Sequence, residues 1–111
     1  MSSFKNVRGG FITLNSGYDI PLIGLGTYKI RGEDVSKAVK GALAAGYRMF
    51  DTAKYYLNEK ELGDALERFL PEFGLTRADI FLTTKLFPEP ENNMECVRRL
   101  VLESLENLKT E

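Results

Sequence analysis

Three side chains stand where their types and spacing could do chemistry together. Asp51 and Tyr56 lie in YRMFDTAKYYLNEKELG, residues 47–63, and Lys85 follows in TTKL. Each sits at or just past the end of an apolar run. A lysine ammonium about 4 Å from a phenol stabilises the phenolate by about 4 kcal/mol at an effective dielectric of about 20. A phenol in that setting is a useful general acid near neutral pH. An aspartate beside the lysine keeps the ammonium charged and in place. The trio suits giving a proton to an oxygen that becomes negative as its carbon is attacked. Each residue also has an ordinary explanation. Asp51 can cap the following turn, Lys85 can be a solvated strand end, and Tyr56 can be loop packing. Their convergence on one rim favours the chemical reading, with the neighbouring Tyr55 left as packing.

The elements that must position them follow from the apolar pattern. FITL (11–14) and DIPLIGLG (19–26) flank NSGY, which predicts a β-hairpin. Pro21 makes that stretch a poor central strand. LIGLGTY, residues 22–28, is apolar on both faces, as a buried parallel strand would be. Val35, Ala38, Val39, Ala42 and Leu43 predict a helix from Glu33 to Ala45, ended by Gly46. YRMFDTA (47–53) reads as the next strand. Asn58 with Glu61 resembles a capping box. The helix it opens carries Leu62, Ala65, Leu66, Phe69 and Leu70, and Pro71 should end it. DIFLTTKL (79–86) is a third strand, Pro88 and Pro90 mark a loop, and Asn92 to Lys109 is a third helix. Its expected buried stripe is Val97, Leu100, Val101, Leu105 and Leu108. A hairpin followed by three βα units predicts an α/β fold with a parallel sheet. In α/β barrels the chemistry lies at the carboxyl ends of strands. Parallel neighbours put those ends about 5 Å apart, so Asp51, Tyr56 and Lys85 can meet.

Composition narrows the function class. The chain has 111 residues, 43% apolar, with a formal net charge of −1. No basic run offers a surface for nucleic acid or an anionic membrane. No stretch approaches the roughly 20 apolar residues of a membrane span. The start, MSSFKNVRGG, lacks the apolar core of a secretory signal. With no histidine and a single cysteine, Cys96, ligands for a transition metal are scarce, so no metal site is expected. Cys96 cannot form an internal disulfide, which points to a reducing compartment and a cytoplasmic location. Cys96 itself reads as a helix residue without a role.

GLGTYK, Gly24 to Lys29, is the second feature. Gly24 and Gly26, with Asp51 about 25 residues on, form an incomplete dinucleotide fingerprint in which Lys29 stands for the third glycine. The missing glycine weighs against a small Rossmann-like module. A strand end where backbone approaches a ligand fits the same glycines.

At this point GYRMFDTAKYYLNEKELGDAL resembles the pattern of the aldo-keto reductase family, in which G-x-R-x-x-D-T-A precedes Y-x-N-E-x-x-x-G. GLGTY and IFLTTKL are similar to the family's first and third strand segments, and the resemblance covers about Gly10 to Glu111. It implies the N-terminal part of a (β/α)8 TIM barrel, with residues 1–9 as a tail and a hairpin as its plug. It also implies reduction of a small-molecule carbonyl substrate, an aldehyde or ketone, with NADPH or less often NADH. Tyr56 would be the proton donor, helped by Lys85 and Asp51. Gly26, Thr27, Tyr28 and Asp51 would approach the cofactor. The full-length form would be a monomer. The family barrel needs about 250 residues, and the family's catalytic histidine on the fourth strand has no counterpart here. The chain is therefore expected to be the start of a longer fold, with exposed sheet edges and marginal stability. The alternative is a truncated, non-catalytic product. Phe87 and Phe81 are candidates for an apolar wall, with core packing favoured for Phe81.

Overall fold

The computed structural model describes Phe4, residues 7–91 and residues 93–111. Two short strands come first, β1 (Phe11–Thr13) and β2 (Asp19–Pro21). They pair antiparallel with Ile12 opposite Ile20, as the turn residues demand. Pro21 closes the end of this two-stranded ribbon, where no third strand needs its missing N–H.

The positioning framework is a separate parallel sheet in the order β3-β4-β5. Its strands are β3 (Leu25–Gly26), β4 (Met49–Asp51) and β5 (Phe81–Thr83). They are much shorter than the apolar runs predicted. The run 22–28 is not a doubly covered strand, because Leu22, Ile23 and Tyr28 are exposed. β3 is an edge of the sheet, so only its β4 side is covered.

Three helices complete the βα units: α1 (Glu33–Ala44), α2 (Glu59–Glu72) and α3 (Met94–Leu108). α2 packs against α1 on one side and α3 on the other. The core they form with the sheet includes Val35, Val39, Leu43, Phe50, Leu62, Leu66, Phe69 and Leu108. The apolar stripes of α1 and α2 lie where periodicity put them, and Pro71 is accommodated within the last turn of α2. α3 is rotated from expectation. It buries Cys96, Leu100, Ser104 and Leu108, leaving Val97 and Val101 exposed. Ser104 takes the inward position because a buried acceptor on α2 needs its hydroxyl. Asn92, predicted to start this helix, lies outside the described residues. Of the tail expected over residues 1–9, residues 1–3, 5 and 6 also lie outside them. Arg8 is firmly attached, donating from its guanidinium to Ala45 O at 2.7 Å and so compensating the carboxyl end of α1. Among the described residues no helix is long and apolar enough to cross a membrane.

Gly63 sets how closely α2 and α3 approach. A Cβ there would overlap Asn107 O and lie 2.9 Å from Leu108 Cα, both backbone atoms. Gly41 in α1 has nothing within 4 Å of the same position. Gly63→Ala should therefore destabilise the fold by about 1–3 kcal/mol in urea unfolding. Gly41→Ala should instead stabilise it by up to about 1 kcal/mol. Equal effects would show that the helices are free to separate.

Candidate active site

Strand register assembles the site. Gly26 pairs with Asp51, and Asp51 with Thr83, so these three form one row across the carboxyl ends of the sheet. Because side chains alternate along a strand, row members share a face. Thr83 Oγ1 donates to Asp51 Oδ1 at 2.6 Å, and Lys85, two residues on, projects to the same side. Thr27, Thr52 and Thr84 follow the row and turn elsewhere: Thr52 Oγ1 donates to Asn58 at the N-cap of α2, Thr84 Oγ1 to Glu59 in its first turn, and Thr27 Oγ1 to Asp51 O.

Lys85 Nζ reaches Asp51 Oδ1 at 2.8 Å, Asp51 Oδ2 at 3.0 Å, Thr52 O at 3.0 Å and Tyr56 Oη at 3.3 Å. Partial burial works to lower the Lys85 pKa. The bonds to Asp51 and Tyr56 outweigh it, and the ammonium sits above the ordinary lysine value. Partial burial likewise works to raise Asp51, and the bonds from Lys85 and Thr83 hold its carboxyl below the ordinary value. Both shifts keep the pair ionised. An ammonium has donors only, so Lys85 donates to Tyr56 Oη and leaves the phenolic hydrogen for another acceptor.

A 3-10 turn, Lys54–Tyr56, carries the tyrosine. Leu57 follows with φ 57°, a left-handed conformation that costs a non-glycine residue about 1–2 kcal/mol. That reversal leaves Leu57 exposed and sends Asn58 inward. Asn58 does not close the capping box that its sequence suggests. Its side chain makes no bond to the helix N-terminus. It is fully buried, donates to Thr27 O at 2.7 Å and Ile30 O at 2.8 Å, and accepts from Thr52 Oγ1 at 2.6 Å. Sequence reasoning missed this role, as it missed Thr83. A cap signature with Asn in place of Ser or Thr was the one available hint.

The residues expected at a cofactor divide. Gly26 is exposed, and a Cβ there would meet nothing within 4 Å, so the strand exit offers open space. Tyr28 is exposed, its ring 5.1 Å from that of Tyr56. Thr27 does not face outward: it is 1% exposed, and its N–H and hydroxyl both donate to Asp51 O. Its contribution is to hold β3 against β4. A recess of about 200 Å³ lies beside Tyr56, lined by Tyr28, Lys29, Arg31, Tyr55 and Leu57. Phe87 is exposed and stacks on Tyr55 at 5.3 Å, while Phe81 is half-buried. Another cavity of about 310 Å³, between α2 and the end of α3, contains none of the three candidate residues.

Two outcomes follow from this geometry. Asn58→Ala strips partners from three groups on two segments, Thr27 O and Ile30 O after β3 and Thr52 Oγ1 after β4, and should cost about 2–4 kcal/mol in urea unfolding. A loss near zero would mean water replaces the amide. The second concerns pH. The folded-state pKa of Asp51 lies below its unfolded value, so its contribution is present above about pH 4 and fades as pH falls through the lowered value. Lys85 is raised, so its contribution holds below about pH 10.4 and fades as pH rises through the raised value. The pair is partly exposed, so Asp51→Asn should cost no more than about 1 kcal/mol at pH 7. That difference should shrink at pH 3. A difference that grows on acidification would contradict the ion pair.

The family model described as the aldo/keto reductase family matches residues 22–111. The chain is 40% identical over 84 residues to the NAD(P)H-dependent D-xylose reductase I,II of Candida tropicalis, covering 73% of this chain and 26% of that protein. It is 48% identical over 80 residues to the D/L-glyceraldehyde reductase of Hypocrea jecorina, covering 71% and 24%. The aldose reductase structure from Schistosoma japonicum superposes with a TM-score of 0.80 at 43% identity, over 91% of this chain and 33% of that one. The chain thus spans about a quarter of the length of these curated relatives. The observed fold is a parallel α/β unit without a closed barrel, matching part of a TIM-barrel protein. On this evidence the chain belongs to the aldo/keto reductase family.

Proposed function

We propose that this segment supplies the proton-donating side of a reductase that converts aldehydes or ketones to alcohols. One observation carries the reading: a single ammonium, Lys85 Nζ, bonds both Asp51 oxygens and the Tyr56 hydroxyl oxygen. Tyr56 gives its proton to the substrate oxygen when that oxygen bears negative charge. The phenolate left behind lies 3.3 Å from the Lys85 ammonium, which stabilises it. Asp51 holds that ammonium charged and in place. NADPH, or NADH, would supply the hydride when bound. Gly26, Tyr28 and Asp51 would lie nearest it, with Thr27 holding the strand exit from beneath. The open space at Gly26 and the exposed ring of Tyr28 fit such a group. The names of the relatives support a nicotinamide cofactor and a small carbonyl substrate. We read the full-length protein as a cytoplasmic monomer without nucleic-acid or membrane partners.

A second reading is that the 111-residue chain does not turn over by itself. The chain has no histidine, and its three-stranded parallel sheet is not closed. Purified chain with NADPH and a generic aldehyde should accordingly show no oxidation of the cofactor. The catalytic roles are tested in a chimaera whose corresponding segment, in the Candida tropicalis reductase, is replaced by residues 22–111. Tyr56→Phe in that chimaera should lower kcat by about 10²–10⁴-fold with cofactor affinity unchanged. A near-full rate would remove Tyr56 as the donor.

A further inference from the structure

Two consecutive buried polar residues, the N-cap Asn58 and the first residue of α2, Glu59, grip the exits of different strands. Asn58 holds the exit of β3, as described. Glu59, 5% exposed, accepts from Thr84 Oγ1 at 2.8 Å and from Ser104 Oγ at 3.1 Å. A buried carboxylate is costly unless hydrogen-bonded, and no ion pair to Glu59 occurs among the described residues. The two hydroxyls take its two oxygens. One belongs to α3, which carries none of the site. The other belongs to the residue directly before Lys85. Thr84 is solvent-exposed, so the carboxylate rather than burial fixes its hydroxyl.

We propose that Glu59 is a positioning residue for Lys85. By holding the Thr84 hydroxyl, it anchors the chain after β5 and fixes where the Lys85 ammonium stands between Asp51 and Tyr56. Thr83 is tied to Asp51, Thr84 to Glu59, and the Lys85 carbonyl accepts from Lys54 N at 3.0 Å. Tyr56 lies three residues before Glu59 at the entrance to α2. The donor and its ammonium are thereby referenced to one rigid element, the first turn of that helix. The importance of this positioning rests on the reading that Lys85 serves Tyr56. Its test does not, because it needs no turnover.

The Lys85 side chain can be followed by NMR titration in the 111-residue chain, with Lys85→Met identifying its signal. Thr84→Val cuts the arm toward Lys85, and Ser104→Ala cuts the other arm of the same carboxylate. We expect Thr84→Val to bring the Lys85 titration midpoint down from its wild-type position toward the ordinary lysine value. Ser104→Ala should leave the midpoint in place even if it lowers stability, and Thr84→Ser should restore it. Glu59→Ala should match Thr84→Val; if it fails to fold, the Thr84 and Ser104 comparison still decides. A wild-type midpoint in Thr84→Val, or an equal displacement in Ser104→Ala, would overturn the proposal. Failure of Tyr56→Phe in the chimaera would instead remove the proton-donor reading and leave this titration unaffected.

Discussion

A lysine ammonium has three hydrogens and no acceptor, and it must find oxygen wherever it is withdrawn from water. Lys85 finds four oxygens within 3.3 Å, two of them on Asp51. The carboxylate is the stronger attraction, so it determines where the ammonium rests. Tyr56 is the longest of the four contacts and the one whose chemistry can change. The arrangement makes the phenol oxygen an acceptor from within the protein and leaves its hydrogen for another acceptor. Both ionised partners are only partly buried, which limits the desolvation cost that a deeply buried pair would carry.

The sheet is what makes that placement reproducible. Parallel register puts Gly26, Asp51 and Thr83 in one row, and the alternation of side chains separates chemistry from support. In the row, Asp51 binds the Lys85 ammonium and Thr83 holds Asp51. Of the threonines that follow the row, Thr52 turns to Asn58 and Thr84 to Glu59 at the start of α2, while Thr27 bonds the β4 backbone. Backbone bonds continue the ladder past the strand ends, from Thr52 N to Thr83 O and from Lys54 N to Lys85 O. The loop bearing Tyr56 is thus stitched at both sides. Its left-handed Leu57 is tolerated because the buried Asn58 amide, with three hydrogen bonds to neighbouring segments, offsets the strain.

The helices contribute rigidity by packing on one another as well as on the sheet. α2 lies between α1 and α3. Its bare Gly63 lets the α3 backbone come within contact distance. This closeness brings Ser104 within reach of Glu59, so a glycine one turn into the helix helps to satisfy a carboxylate at its start. Packing and site geometry are therefore coupled through α2.

Read without coordinates, the chain already disclosed which three side chains meet at the sheet's rim and the order of the elements. Asp51, Tyr56 and Lys85 were legible because each follows an apolar run, and strands of a parallel sheet end side by side. The stripes of α1 and α2 were legible because hydrophobic burial imposes a 3.6-residue period. Tertiary structure alone decided the rest. Asn58 read as a cap because local rules see only the helix it begins. Its real partners are 28 to 31 residues away on another strand exit. The bond from the Thr27 hydroxyl to the backbone of the neighbouring strand is likewise set by strand register and not by local pattern. The buried face of α3 was misplaced because apolar periodicity cannot anticipate a serine called inward by a carboxylate 45 residues earlier. Polar groups are buried only where partners meet them. Those partners are set by the register of strands and the approach of helices, which no local pattern encodes.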